Sequence, residues 1–293
     1  MGNQKTQNLL KNIENFFQKF HKENELPDYI YHSTPYENLP SILKKLQLYM
    51  TDFKDIKNEY EHFIRSLKKL VAEKEFPKHI MYDGTELTKF WQSLELYMNK
   101  NIKCYRMSFC LDRDNKYVRE IFAKKNGATI KFSTKLFNSS GKLSPNLEDN
   151  IVGTKICYED GTKPTDKLKE LADFISIVLN ELTIENQSDV LIDVYSRIIP
   201  NLPRFLTSES DLEREEECRC YRFYDDSSPK PPIVKLFNKD GVYSPKISPN
   251  CILEIILHMD DANNFSAKKS ELQQLFKDEF PGGEFNHIKI TQY

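Results

Sequence analysis

The chain has 293 residues, 39% hydrophobic and 29% charged, and its acids and bases nearly cancel to a formal charge of -2. That length can bury a sizeable core, as one large domain or two modest ones, and the charge balance excludes a sequence-wide basic field for nucleic acid, leaving only a local patch open. The 9 glycines form neither GxGxxG after a strand nor GxxxxGK followed by Ser or Thr, which argues against dinucleotide-fold and P-loop readings.

Met1-Gly2-Asn3-Gln4-Lys5-Thr6 matches the N-myristoylation pattern, so a membrane partner is expected only if Gly2 is lipidated. A chance Met-Gly start is the other reading. No apolar signal region follows and no apolar run reaches membrane-spanning length, so a cytoplasmic chain is expected. Residues 5 to 22 read as an amphipathic helix with Leu9, Leu10, Ile13, Phe16, Phe17 and Phe20 on one face. "YIYHSTPYENLPSILKKLQLYMTD", residues 29 to 52, reads as strand, turn, short helix and second strand. Helices are expected over 58 to 73 and 85 to 98, and a strand over "CYRMSFCL" at 104 to 111. A short helix at 115 to 125, a strand at 127 to 134 and a loop at 138 to 150 follow. Two helices, 165 to 183 and 187 to 198, come next, the second stopping near Pro200. "CRCYRFYD", "PIVKLF" and "CILEIILHM" read as strands, 267 to 277 as a helix and "HIKITQ" as a last strand. Strands and helices mix without a regular βαβ alternation, so the fold class is α+β. The six cysteines show no paired CxxC spacing, which speaks for a reducing compartment and against a structural zinc site.

His32 ends the first strand motif. On a strand, Ile30, His32 and Thr34 share one face, and Tyr31 and Ser33 the other. The plain expectation is a half-buried histidine satisfied by a backbone carbonyl. A second candidate lies in "LEREEECRCYRFY", residues 212 to 224. An acidic run is ordinarily a solvated surface. With strand pairing from Glu215, however, Glu215, Glu217, Arg219 and Tyr221 share one face while Cys218 and Cys220 turn to the core. An arginine beside a strand carboxylate favours its charged form.

Tyr31-His32-Ser33-Thr34, the apolar pattern Leu39, Ile42, Leu43, Leu46, and the strand Leu48-Tyr49-Met50-Thr51-Asp52 together resemble the His-Tyr-Glu branch of the ADP-ribosyltransferase superfamily. Over residues 28 to 291 the order of pieces also looks like a bacterial family of unknown function, twenty-nine seventy-one. Those pieces add Asn58, Glu61, Ser108-Phe109-Cys110, Arg204-Phe205, Glu217-Cys218-Arg219 and the strand 252 to 257. The resemblance implies a split β-sheet core with helical insertions over 27 to 293, preceded by an N-terminal helical extension over 1 to 26. It implies NAD as substrate, with His32 on a ribose and Ser33 and Thr34 at the nicotinamide. The family has glycine where Ser33 stands. Tyr49 and Tyr60 are candidates for the ring that stacks on nicotinamide, with core packing as the alternative for both.

Cleavage of the nicotinamide–ribose bond passes through an oxocarbenium-like state, which a fixed carboxylate stabilises. Glu217, beside Arg219, is the expected catalytic carboxylate. Glu215 makes an E-x-E pair with it and is expected to orient an acceptor guanidinium by bidentate contact. A second register takes Arg106, Ser133 and Thr134 as the first motifs of the Arg-Ser-Glu branch, with Glu217 unchanged. The expected reaction moves ADP-ribose from NAD to a protein arginine. The expected partner is a host protein, and the chain a bacterial effector delivered into a host cytosol. An inactive NAD-fold module, an NAD glycohydrolase and a nucleic-acid ADP-ribosyltransferase are the alternatives.

Overall fold

The computed structural model describes residues 2–22, 26–52, 57–74, 88, 90–92, 102–124, 126–134, 151–159, 165–182, 187–201, 205–207, 216–225, 233–236, 239–244 and 246–293. Helix α1 (Gly2–Lys22) buries Leu9, Ile13, Phe17 and Phe20, the stripe expected from their spacing. It packs with α3 (Lys57–Ala72), α5 (Asp166–Glu181) and α6 (Gln187–Asn201) around one helical core, which also takes in Phe90 and Trp91. Phe16 of α1 stacks face to face on Phe174 of α5 at 3.8 Å. Thr165 caps α5 by accepting a hydrogen bond from Leu168 N, so the helix starts where an orphan N–H finds an oxygen.

The second core lies on a large sheet. One path of strands runs β12-β11-β4-β1-β3-β2-β10-β9, with β8 on β3 and β5 on β8. The strands are β1 (Tyr29–Pro35), β2 (Tyr49–Asp52), β3 (Ile102–Cys110), β4 (Gly127–Ser133), β5 (Ile151–Lys155), β8 (Glu217–Asp225), β9 (Val234–Leu236), β10 (Lys239–Tyr243), β11 (Ile252–Leu257) and β12 (Lys289–Gln292). All neighbours in this sheet are antiparallel except β11 with β12. A separate parallel pair joins β6 (Cys157–Glu159) and β7 (Phe205–Thr207). Helices α2 (Leu39–Lys45) and α7 (Ala262–Glu279) supply Leu39, Leu43 and Leu272 to the core on one face of the sheet, against Ile30, Ile130, Phe132, Phe109, Ile255 and Leu257. The short helix α4 (Lys116–Val118) runs into a wider turn, Arg119–Ala123, that packs against β1 and β4. The chain is α+β, as its mixed element order implies.

Four strands are absent from the reading of the sequence. β5 holds Gly153, β10 contains Asp240-Gly241 and reads as a turn, and β6 and β7 have three residues each. Such segments carry too little alternation to register as strands. Most of the helix expected at 85 to 98 lies outside the described residues. No described helix is long and apolar enough to cross a membrane.

Candidate functional site

Strand β3 is the hinge of the sheet. Along one edge it pairs with β8 over its whole length, from Ile102↔Asp225 to Cys110↔Glu217. Along the other edge it serves two strands. Cys110 pairs with Tyr31 of β1, while Arg106 and Tyr105 pair with Thr51 and Asp52 of β2. β1 and β2 thus attach to the same edge of β3 at different points along it, so the sheet forks there. The His32 ring sits in the fork. Its Nδ1 lies 3.4 Å from the Ser108 carbonyl, and its edge meets the Phe109 ring at 5.7 Å. Burial lowers its pKa, and the hydrogen bond to Ser108 opposes that shift. This is the carbonyl-satisfied histidine of the plain expectation.

Glu217 opens β8. The residue is 3% exposed, so it is no solvated acid. Its Oε1 accepts a hydrogen bond from Arg219 Nε at 2.7 Å, and Arg219 is equally buried. The backbone holds the pair from both sides, since Leu111 N donates to Glu216 O at 2.9 Å and Ile156 N donates to Glu217 O at 3.1 Å. Glu216 itself adopts φ +45°, a left-handed conformation that costs a non-glycine residue energy and clusters at functional sites. Among the described residues, β8 pairing starts at Glu217. Glu215 lies outside the described residues.

Register assigns the faces, because directly paired residues of an antiparallel ladder point the same way. Tyr31, Cys110 and Glu217 form one row across β1, β3 and β8. Arg219, paired with Ser108, and Tyr221, paired with Arg106, continue that face along β8. Tyr31 and Ser33 belong to it, and so does Ser133, which pairs with Tyr29. His32 and Thr34 belong to the opposite, core-covered face with Phe109, Cys218 and Cys220. The row therefore brings Glu217 into line with Tyr31, two strands or about 10 Å away, and turns His32 the other way. Cys218 and Cys220 are fully buried, as expected. Burial pushes both thiols far up, and raises Cys110 to about 12, so none of the three supplies a thiolate.

The stacking candidates differ. Tyr49 pairs with Tyr243 of β10, donates its hydroxyl to the Val234 carbonyl at 3.3 Å and lies across Gly241. These contacts tie it to the β2–β10 arm, in line with its core-packing alternative. Tyr60 falls within α3, and its side chain is outside what is described.

One cluster is not visible in the sequence. Ser33 Oγ meets Thr129 Oγ1 at 2.8 Å, and Thr129 Oγ1 meets His258 Nε2 at 2.8 Å. The three residues come from β1, from β4 and from just beyond β11, so no spacing announces them. Thr129 and His258 are buried, at 2% and 6% exposure. Burial, and then the Arg119 guanidinium, lower the His258 pKa to about 4. Burial, with Glu254, Asp112 and Asp114 adding and Arg113 opposing, raises the Tyr31 hydroxyl on the same face.

No family model, no curated protein and no solved structure matches this chain.

Proposed function

We propose that the chain is a mono-ADP-ribosyltransferase that moves ADP-ribose from NAD to an arginine of a protein, as a bacterial effector would on a host target. The observation that carries this is Glu217, a buried carboxylate fixed by Arg219 at the mouth of β8 behind a strained Glu216. A preorganised carboxylate of this kind suits an oxocarbenium-like state. The forked sheet, with the Tyr31-His32-Ser33-Thr34 strand along the fork, fits the split core that the resemblance implies. The face assignment favours one version of the first motif. Arg106 and Ser133 share the face of Glu217, whereas His32 is turned from it and engaged with Ser108. The Arg-Ser-Glu assignment therefore gains support over the His-Tyr-Glu one for the same reaction. Calorimetry with NAD separates them: Arg106→Ala weakens binding if the first holds, and His32→Ala if the second does.

The reaction is tested by nicotinamide release and by labelling of lysate proteins from labelled NAD. Glu217→Gln keeps an acceptor for Arg219 but removes the charge. Loss of one preorganised contact costs about 2.7–4 kcal/mol, on the order of 100- to 1000-fold in rate, so release and labelling fall together. Glu215→Gln is expected to lower labelling while sparing release. Equal loss of both in Glu215→Gln removes its acceptor role.

A further inference from the structure

The Ser33–Thr129–His258 chain has a direction that can be worked out. His258 is neutral near pH 7, because burial and Arg119 hold its pKa at about 4. A neutral imidazole carries one N–H. Its Nδ1 is buried and makes no hydrogen bond among the described residues, while Nε2 contacts Thr129 at 2.8 Å. Were the proton on Nδ1, a buried N–H would be orphaned within the field of the Arg119 guanidinium. Orphaned N–H groups are rarer than under-satisfied acceptors, and a positive charge nearby prefers a lone pair. The proton therefore sits on Nε2, which donates to Thr129 Oγ1. Thr129 then donates to Ser33 Oγ, filling one of its lone pairs. That leaves the Ser33 hydroxyl its own proton to donate outside the chain, from a half-buried position on the face whose register it shares with the buried Glu217.

We propose that Ser33 is a directed hydrogen-bond donor for an oxygen of the bound ligand, a carbonyl or a phosphate, and that Thr129 and His258 are the positioning residues that set its direction. The same chain read backwards would make His258 a base that activates Ser33 as a nucleophile. A ring that burial and the Arg119 charge make so hard to protonate is a poor base, so the donor direction prevails. The ligand part of this proposal rests on the NAD reading.

Two measurements decide it. Nitrogen-15 correlation spectra of the intact protein, with His258→Gln for assignment, report the ring tautomer at pH 7. The proposal expects the proton on Nε2, and a proton on Nδ1 overturns the direction whatever NAD does. Calorimetry then uses NAD, nicotinamide and ADP-ribose as probes, since of the two fragments nicotinamide carries the carboxamide carbonyl and ADP-ribose the phosphates. Thr129→Val keeps the shape and cuts the chain. It should weaken NAD by roughly 2- to 10-fold, Ser33→Ala should match it, and Thr129→Ser should restore binding. The weakened fragment identifies the oxygen. Unchanged affinity for all three probes in a folded Thr129→Val overturns the donor role. If the wild type binds none of them, the NAD reading fails and takes the ligand with it, while the tautomer still decides the direction.

Discussion

Burial strips water from the Glu217 carboxylate, and Arg219 Nε at 2.7 Å returns a charge-assisted hydrogen bond. Removing one partner of such a pair leaves the other desolvated without its counter-charge, at about 3–5 kcal/mol. Arg219→Met should therefore lower the urea unfolding free energy by roughly that amount. The double variant Glu217→Gln/Arg219→Met should recover most of it, and equal losses in single and double variants would show that the two residues do not act as a pair. His258 offers a pH readout. An unfolded imidazole titrates near 6.5, whereas the folded one is lowered to about 4. Between those values the unfolded chain binds the extra proton, so the contribution is full above pH 6.5 and is lost as pH falls toward 4. Urea midpoints between pH 7 and 4.5 should fall less steeply in His258→Gln than in the wild type. His32, also lowered by burial, stays in both proteins and does not affect the comparison. Identical slopes would contradict a buried neutral His258.

At the scale of elements, alternation made much legible. It separates Ile30, His32 and Thr34 from Tyr31 and Ser33, sends Cys218 and Cys220 to the core, and gathers the α1 stripe. It cannot show which neighbour a strand has. The opposition of His32 and Glu217 follows from the Tyr31↔Cys110 and Cys110↔Glu217 pairings, which join residues far apart in sequence. The Ser33–Thr129–His258 chain was hidden for the same reason. Spacing is equally silent about Gly127. A Cβ there would run into the Ala123 backbone of the turn over β4, and the Gly127 carbonyl also accepts from His258 N at 3.0 Å. Gly153 differs, because its Cβ would meet the flexible end of Leu26. Gly127→Ala should cost about 2 kcal/mol or more and Gly153→Ala less than about 1 kcal/mol, since only the first must move backbone. Urea unfolding of the two variants side by side checks this, and the reverse order would contradict the close approach at Gly127.

For the whole molecule, α1 shares one buried core with α3, α5 and α6, so the segment expected as an N-terminal extension is packed into the helical layer. The sheet core, with α2 and α7, forms a second cluster beneath the fork. Function is proposed at that fork and on the Glu217 face, where composition alone suggested only a charged surface run. The central claim is that Glu217 stabilises cleavage of the nicotinamide–ribose bond of NAD. The most direct test is nicotinamide release by purified wild type and Glu217→Gln, both shown folded by circular dichroism, with protein from a host lysate as acceptor. Release by the wild type and a loss of about 100-fold or more in the variant are expected; no release by the wild type, or equal release by both, would contradict the role of Glu217.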